Sequence, residues 1–339
     1  MKVCAHCFKD KELQSFIIAS STEIGQCNYC TDGTDTETIE IDELLDFFTE
    51  LFNLFEKTEE NQNILDLIQQ DWKLFSDEVD SIRMLTDILN ASQSHIKNIA
   101  QHVEYSFDIL NCVNYWHVLK NILLGQRRFI TDIEEIEELE WNRLLNQQVE
   151  LKPDKSFYRS RIHKNANQDT FRVDQMGCPD KEFASAGRAN PQGIPYLYLS
   201  DNPQTTLYET RSSYLDELSI GEFKSKNNQP ILLVDFTEEP SIYFHIGNIK
   251  DFVKSTLLKR LISSDLSKPL RRYDSVLDYI PTQFICEYIR YMIGADGILF
   301  ESSLHTEGKN LVIFDQNKLE CVKVYKQQIT NIQVQSQDI

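Results

Sequence analysis

The chain has 339 residues, more than one ordinary domain needs, so two or three domains are expected. Apolar residues make up 41% and charged residues 26%, a globular balance that excludes wholesale disorder. The formal net charge is −19, and so acidic a surface repels a phosphate backbone and disfavours nucleic acid as a partner.

The charge is unevenly placed. Residues 1–150 carry 29 acidic and 11 basic side chains, a net of −18; residues 151–339 carry 24 and 23, a net of −1. The neutral second half has room for a local positive pocket that takes a small anion. No apolar run approaches the ~20 residues needed to cross a bilayer, so no membrane partner is expected. The opening MKVCAHCFKD lacks the apolar stretch of a secretory signal. The chain reads as soluble, from a reducing compartment, with the cytoplasm as its expected location.

Residues 1–37 read as a four-cysteine zinc knuckle. Cys4-x-x-Cys7 is followed by Cys27-x-x-Cys30, and each turn aims two thiolates at one ion. Four sulfurs complete a tetrahedron and leave no place for water, so the expected Zn2+ is structural. His6, inside the first turn, reads as a solvent-facing loop residue. Cys112, Cys178, Cys286 and Cys321 lack partner spacing and read as plain thiols. Lys2, Lys9 and Lys11 face Asp10, Glu12, Glu23, Asp32 and Asp35, which is no basic footprint. The knuckle is a fold staple or a protein-contact module.

Residues 38–150 read as a helical domain. After Asp42, apolar residues recur at Leu44, Leu45, Phe48, Leu51, Phe52 and Phe55. A second helix is expected over Asn61–Trp72. Asp77 or Asp80 caps a third, with Val79, Ile82, Leu85 and Leu89 inward. Further helices are expected over 102–124 and 132–146. No proline precedes Pro153, which suits a bundle.

The composition changes at LKPDK, residues 151–155. Beyond it the pattern is α+β. Strands are expected at Ile194–Leu199, Ile231–Phe236, Gly297–Glu301, Leu311–Phe314 and Cys321–Tyr325, with helices at Pro203–Leu215 and Pro281–Met292. FYRSRI sets Arg159 and Arg161 on one side of an extended segment and Tyr158 and Ser160 on the other. GRANPQGIPYLYLS puts Arg188 in a turn and Tyr196 and Tyr198 on one strand face. Glu209 lies two turns into a helix that Pro203 opens. Ser302, Ser303, His305 and Asn310 share a strand–loop–strand segment. Spacing alone does not pick out a nucleophile–base pair among them.

These residues, in this order, carry a resemblance. FYR at 157–159, GRANPQGIPYLYLSDNPQTTLYE at 187–209, the Ser302 loop, and Asn310 eight residues after Ser302 resemble the RES domain of bacterial toxins that act on NAD. The resemblance covers about 154 to 325 and places the catalytic domain at 154–327. It implies an ADP-ribosyltransferase-like α+β fold, two small sheets with an NAD cleft between them. Its named Arg, Glu and Ser then map to Arg159, Glu209 and Ser302. It further implies substrate-binding roles for Tyr158, Arg161, Arg188, Tyr198 and Asn310.

The knuckle and helical half resemble the HEPN-associated module that precedes some RES domains. The Arg-x4–6-His motif of HEPN ribonucleases is missing: MLTDILN follows Arg83 and FITDIEE follows Arg128.

The activity implied is cleavage of NAD, the substrate, at its nicotinamide–ribose bond, by phosphorolysis with inorganic phosphate or by hydrolysis. Transfer of ADP-ribose to a protein is an alternative, as is a zinc-stapled adaptor that binds a nucleotide without turnover. The resemblance also implies an antitoxin or regulatory partner and a role in toxin–antitoxin or antiphage defence. A homo-oligomer is expected.

Overall fold

The computed structural model describes residues 1–30, 33–131, 133–165, 167–237, 241–269 and 275–332. The fold is α+β. The chain divides into two compact units, Met1–Tyr115 with Glu239–Leu257, and Trp116–Glu238 with Leu258–Ile339.

The first unit opens with β1 (Lys2–Cys4), α1 (Lys11–Ser20), β2 (Glu23–Gln26) and β3 (Asp35–Glu40). The strands form an antiparallel sheet in the order β1-β3-β2. Asp10 caps α1, its carboxylate accepting from the N–H groups of Glu12 and Leu13, each at 3.1 Å. The sequence reading missed this sheet because its strands are short and mostly polar; within β3 only Thr38 and Ile39 are buried.

Then come α2 (Leu45–Phe52), β4 (Phe55–Lys57), α3 (Ile64–Trp72), α4 (Ser81–Ala91), β5 (Val103–Tyr105) and α5 (Phe107–Gly125). The helix expected to reach Phe55 stops at Phe52, and Phe55 instead pairs with Tyr105 in the β4–β5 ladder. Of the two aspartates weighed as caps, Asp80 is the one that caps α4, accepting from Arg83 N–H at 3.0 Å. The inward face is Met84, Leu85, Ile88 and Leu89, whereas Ile82, expected inside, is 62% exposed. The rings of Phe48 and Phe75 stack at 6.3 Å, with Phe8 beside them.

The single helix expected over 132–146 is two: α6 (Ile133–Glu138) and α7 (Trp141–Leu144). Glu140, at φ 59°, breaks the run; Asp132 lies outside the described residues. A short β6 (Gln148–Glu150) follows.

The second unit holds β7 (Phe157–Ile162), β8 (Leu197–Ser200), α8 (Pro203–Glu209), β9 (Glu217–Ser225) and β10 (Leu232–Asp235). Farther along, α9 (Ile249–Ser267) belongs to the first unit up to Leu257 and to the second from Leu258, and the second continues with α10 (Ile280–Tyr288), β11 (Gly297–Glu301), β12 (Lys309–Ile313) and β13 (Leu319–Gln328). Eight strands run β13-β9-β7-β8-β12-β11-β10-β6. Only the β10–β11 pair is parallel among these described strands.

The middle of this sheet is its weak point. β7 pairs with β9 at six positions, and β8 pairs with β12 at four. Between β7 and β8 there is a single pair, Tyr158 with Ser200. The second unit therefore has one eight-stranded sheet where two small sheets were expected, its two halves joined at one rung because β7 and β8 meet only at Tyr158 and Ser200. Phe157, Leu197, Leu199, Phe223, Leu311 and Ile313 form the buried core beside that seam.

Candidate active site

Helix α8 is set by its first residues. Pro203 stands at its start, and Asn202 Oδ1 accepts from Thr205 N–H at 2.9 Å. Asp201 ties that start to β12: its N–H donates to the Lys309 carbonyl and its carboxylate accepts from Lys309 N–H, both at 3.0 Å. The helix expected to reach Leu215 ends at Glu209, and Arg211 turns left-handed at φ 50°. Glu209 is thus the last residue of a seven-residue helix.

Its carboxylate is clamped from one side. Ser302 Oγ donates to Oε1 at 2.7 Å, and Asn310 Nδ2 donates to the same oxygen at 2.6 Å. Asn310 is itself oriented, its Oδ1 accepting from Ser200 Oγ at 2.9 Å. Ser302 Oγ also accepts from the N–H groups of Leu304 and His305, at 3.3 and 3.2 Å. With its proton on a carboxylate and its lone pairs on backbone donors, the hydroxyl orients Glu209. Among the described residues, Oε2 of Glu209 accepts no hydrogen bond.

Two guanidinium groups stand nearby. Arg159, on β7, has a buried Nη1 without a hydrogen-bond partner among the described residues. Burial pulls its pKa down, and no carboxylate opposes that shift. Arg188 lies in the turn after Gly187 and donates to the Leu266 carbonyl, while its own carbonyl accepts from Thr282 Oγ1 at 2.6 Å. Gly187 has no room for a side chain: a Cβ there would stand 2.6 Å from Tyr198 Oη and from Asn190 Oδ1.

These groups line one cavity of about 320 Å³ at the β7–β8 seam. Of the residues expected at a site, Tyr158, Arg159, Arg188, Tyr198, Glu209 and Asn310 line it, and Ser302 reaches it through Glu209. Tyr198 has its hydroxyl occupied, donating to Asn190 Oδ1 at 2.7 Å and accepting from Ala189 N–H at 3.0 Å. Burial pushes that phenol's pKa up.

Arg161 is not brought to the cavity. Its Nη1 donates to the Gln175 carbonyl, and its guanidinium lies 5.2 Å from the Phe171 ring. The sequence reading missed Thr206 and Thr210, whose i, i+4 spacing around Glu209 was the available signal, and Tyr279 and Phe300, which had none.

The RES domain sequence model matches residues 157–335. The chain belongs to the RES domain family. A search of curated proteins gives no match. Among solved structures, the RES chain is similar to a chain in the crystal structure of the M. tuberculosis MbcT–MbcA toxin–antitoxin complex. They share 13% identity over 55% of this chain and 91% of that one, with a TM-score of 0.32, so the family assignment rests on the sequence match.

Away from the RES domain, the N-terminal cysteines form a second built site. Cys4 ends β1, Cys7 closes the turn after it, and Cys27 follows β2. The sulfurs of Cys4, Cys7, Cys27 and Cys30 all lie within 4.8 Å of one another. Four of the separations are 3.4, 3.4, 3.6 and 3.8 Å. A tetrahedron with Zn–S bonds of about 2.3 Å has edges of about 3.8 Å, so the four thiols fit a closed zinc site. Tyr29 N–H donates to Cys27 Sγ at 3.4 Å, as suits a thiolate. His6 is exposed. Among the described residues, no helix is long and apolar enough to cross a membrane.

Proposed function

We propose that the RES domain binds NAD in the seam cavity and cleaves its nicotinamide–ribose bond. The observation that carries this reading is the one-sided clamp on Glu209. A carboxylate of the cavity lining that is fixed through Oε1 and has Oε2 unengaged is preorganised for positive charge that develops beside it.

The chemistry follows from that charge. The C1″–nitrogen bond of the nicotinamide ribose breaks, its electron pair goes to the pyridinium ring, and nicotinamide leaves neutral. The ribosyl ring is left with oxocarbenium character, as in glycoside cleavage. Oε2 of Glu209 stabilises that cation and accepts from a ribose hydroxyl. Arg159 supports the same reading: a buried donor with no acidic partner suits the dinucleotide's pyrophosphate. Arg188 adds a second guanidinium. Tyr158 offers a ring face to nicotinamide. Phosphate or water then takes the ADP-ribosyl group. A cell that expresses such an activity unopposed loses NAD, which is the action of a toxin.

Proton and phosphorus NMR of NAD with the full chain, with and without phosphate, tests this. ADP-ribose-1″-phosphate formed only with phosphate identifies phosphorolysis, and ADP-ribose in both tubes identifies hydrolysis. Intact NAD in both tubes would contradict the proposal.

A further inference from the structure

We infer that His305 is a positioning residue that holds the Ser302 loop against helix α8 and thereby sets the aim of Glu209. This rests on the reading of Glu209 above. Loop 302–308 joins β11 to β12 and is closed on itself: Ser302 N–H donates to the Gly308 carbonyl at 2.8 Å, and Gly308 N–H to the His305 carbonyl at 3.1 Å. A closed loop alone does not fix where Ser302 points relative to another element. The fastening to α8 does.

His305 supplies that fastening twice and ties it to Ser302 once. Its Nδ1 lies 2.8 Å from Thr205 Oγ1, in the first turn of α8. Its ring stacks on Tyr208 of the same helix, centroids 4.9 Å apart and planes 12° apart. Its backbone N–H donates to Ser302 Oγ, the hydroxyl that orients Glu209.

Thr205, Tyr208 and Glu209 thus meet the loop along one helix, and Thr205 is fully buried. Gly308 completes the fit. A Cβ there would stand 2.5 Å from Thr205 Oγ1 and 2.8 Å from His305 Nδ1. No side chain fits at 308 while that pair is in place.

The pair is a position-setting contact, so its loss misaims a carboxylate without removing it. Misplacement by about 1 Å lowers the rate about 100-fold. The expected signature is in kcat and not in KM, because the misaimed group acts on charge that exists only in the transition state.

The test compares NAD consumption by the full chain with His305→Ala, His305→Asn, Thr205→Val and Thr205→Ser. Asparagine keeps a polar atom where Nδ1 stands, serine keeps the hydroxyl, and valine removes it at constant shape. We expect H305A and T205V each to lower kcat by about 10- to 100-fold, with KM within about threefold. H305N and T205S should recover most of the loss. The H305A/T205V double variant should be no worse than the poorer single one, because both remove one contact.

Equal losses in H305A and H305N, a change in KM alone, or additive losses would overturn the assignment. If H305A does not fold, the T205V and T205S pair decides on the same criteria. NAD left intact by the unaltered chain would instead overturn the reading of Glu209 on which the assignment rests.

Discussion

Glu209 has two oxygens with different duties. Oε1 takes both protein hydrogen bonds, from Ser302 and Asn310, and Oε2 takes none among the described residues. Removing either donor leaves the charge but loosens its aim. Ser302→Ala and Asn310→Ala should each lower kcat for NAD by about 10-fold, a loss of about 1.4 kcal/mol in the barrier; steady-state kinetics would show it, and an unchanged kcat would contradict the clamp. Arg159 makes the opposite case. Its guanidinium has a buried, unpartnered Nη1 and no acid beside it among the described residues, which costs folding free energy that an anionic ligand would offset. Arg159→Met should therefore raise the melting temperature of the ligand-free chain, by roughly 2–4 °C per kcal/mol relieved. The same variant should lose the thermal shift that NAD gives the unaltered chain. A lower melting temperature without ligand would mean that Arg159 is paired in the free protein.

At the scale of elements, the site depends on a short helix and a split sheet. Helix α8 has seven residues, and what happens at its capped start is felt at Glu209. Asn202→Ala should cost about 1 kcal/mol in stability, measured by urea titration, and should lower kcat as well. Gly187→Ala should do more harm, because its Cβ meets two polar atoms that already hold each other.

The residues of this region were legible in the sequence because each carried a local signal. Pro203 after Asn202 marked a helix start, alternating FYRSRI marked a strand, and the order of the four blocks carried the family resemblance. What the chain does not encode locally was missed. The end of α8 was read at Leu215 because a left-handed Arg211 leaves no mark in a run of helix-tolerant residues. The single rung between β7 and β8 is a property of pairing between distant segments, so neither the seam nor the contributions of Tyr279 and Phe300 followed from spacing. The polar strands of the N-terminal sheet lack the alternation that marks a half-buried strand.

For the whole molecule, the two C-x-x-C turns lie in the first unit, and the RES match lies in the second except for the segment 239–257. The full chain should carry one zinc ion by metal analysis. Cys27→Ser should lower both that content and the melting temperature, while no zinc in chain purified without chelator would contradict a closed four-thiolate site. Catalysis as proposed needs nothing from that ion; a closed four-thiolate site would act by stabilising the fold. The proposed chemistry turns on the Glu209 carboxylate, and one comparison addresses it: the rate of nicotinamide release from NAD, followed by proton NMR, for the full chain and for Glu209→Gln. The unaltered chain should release nicotinamide, and the variant should do so at least about 100-fold more slowly while binding NAD within about threefold of the original affinity. Release by Glu209→Gln at the unaltered rate would contradict it.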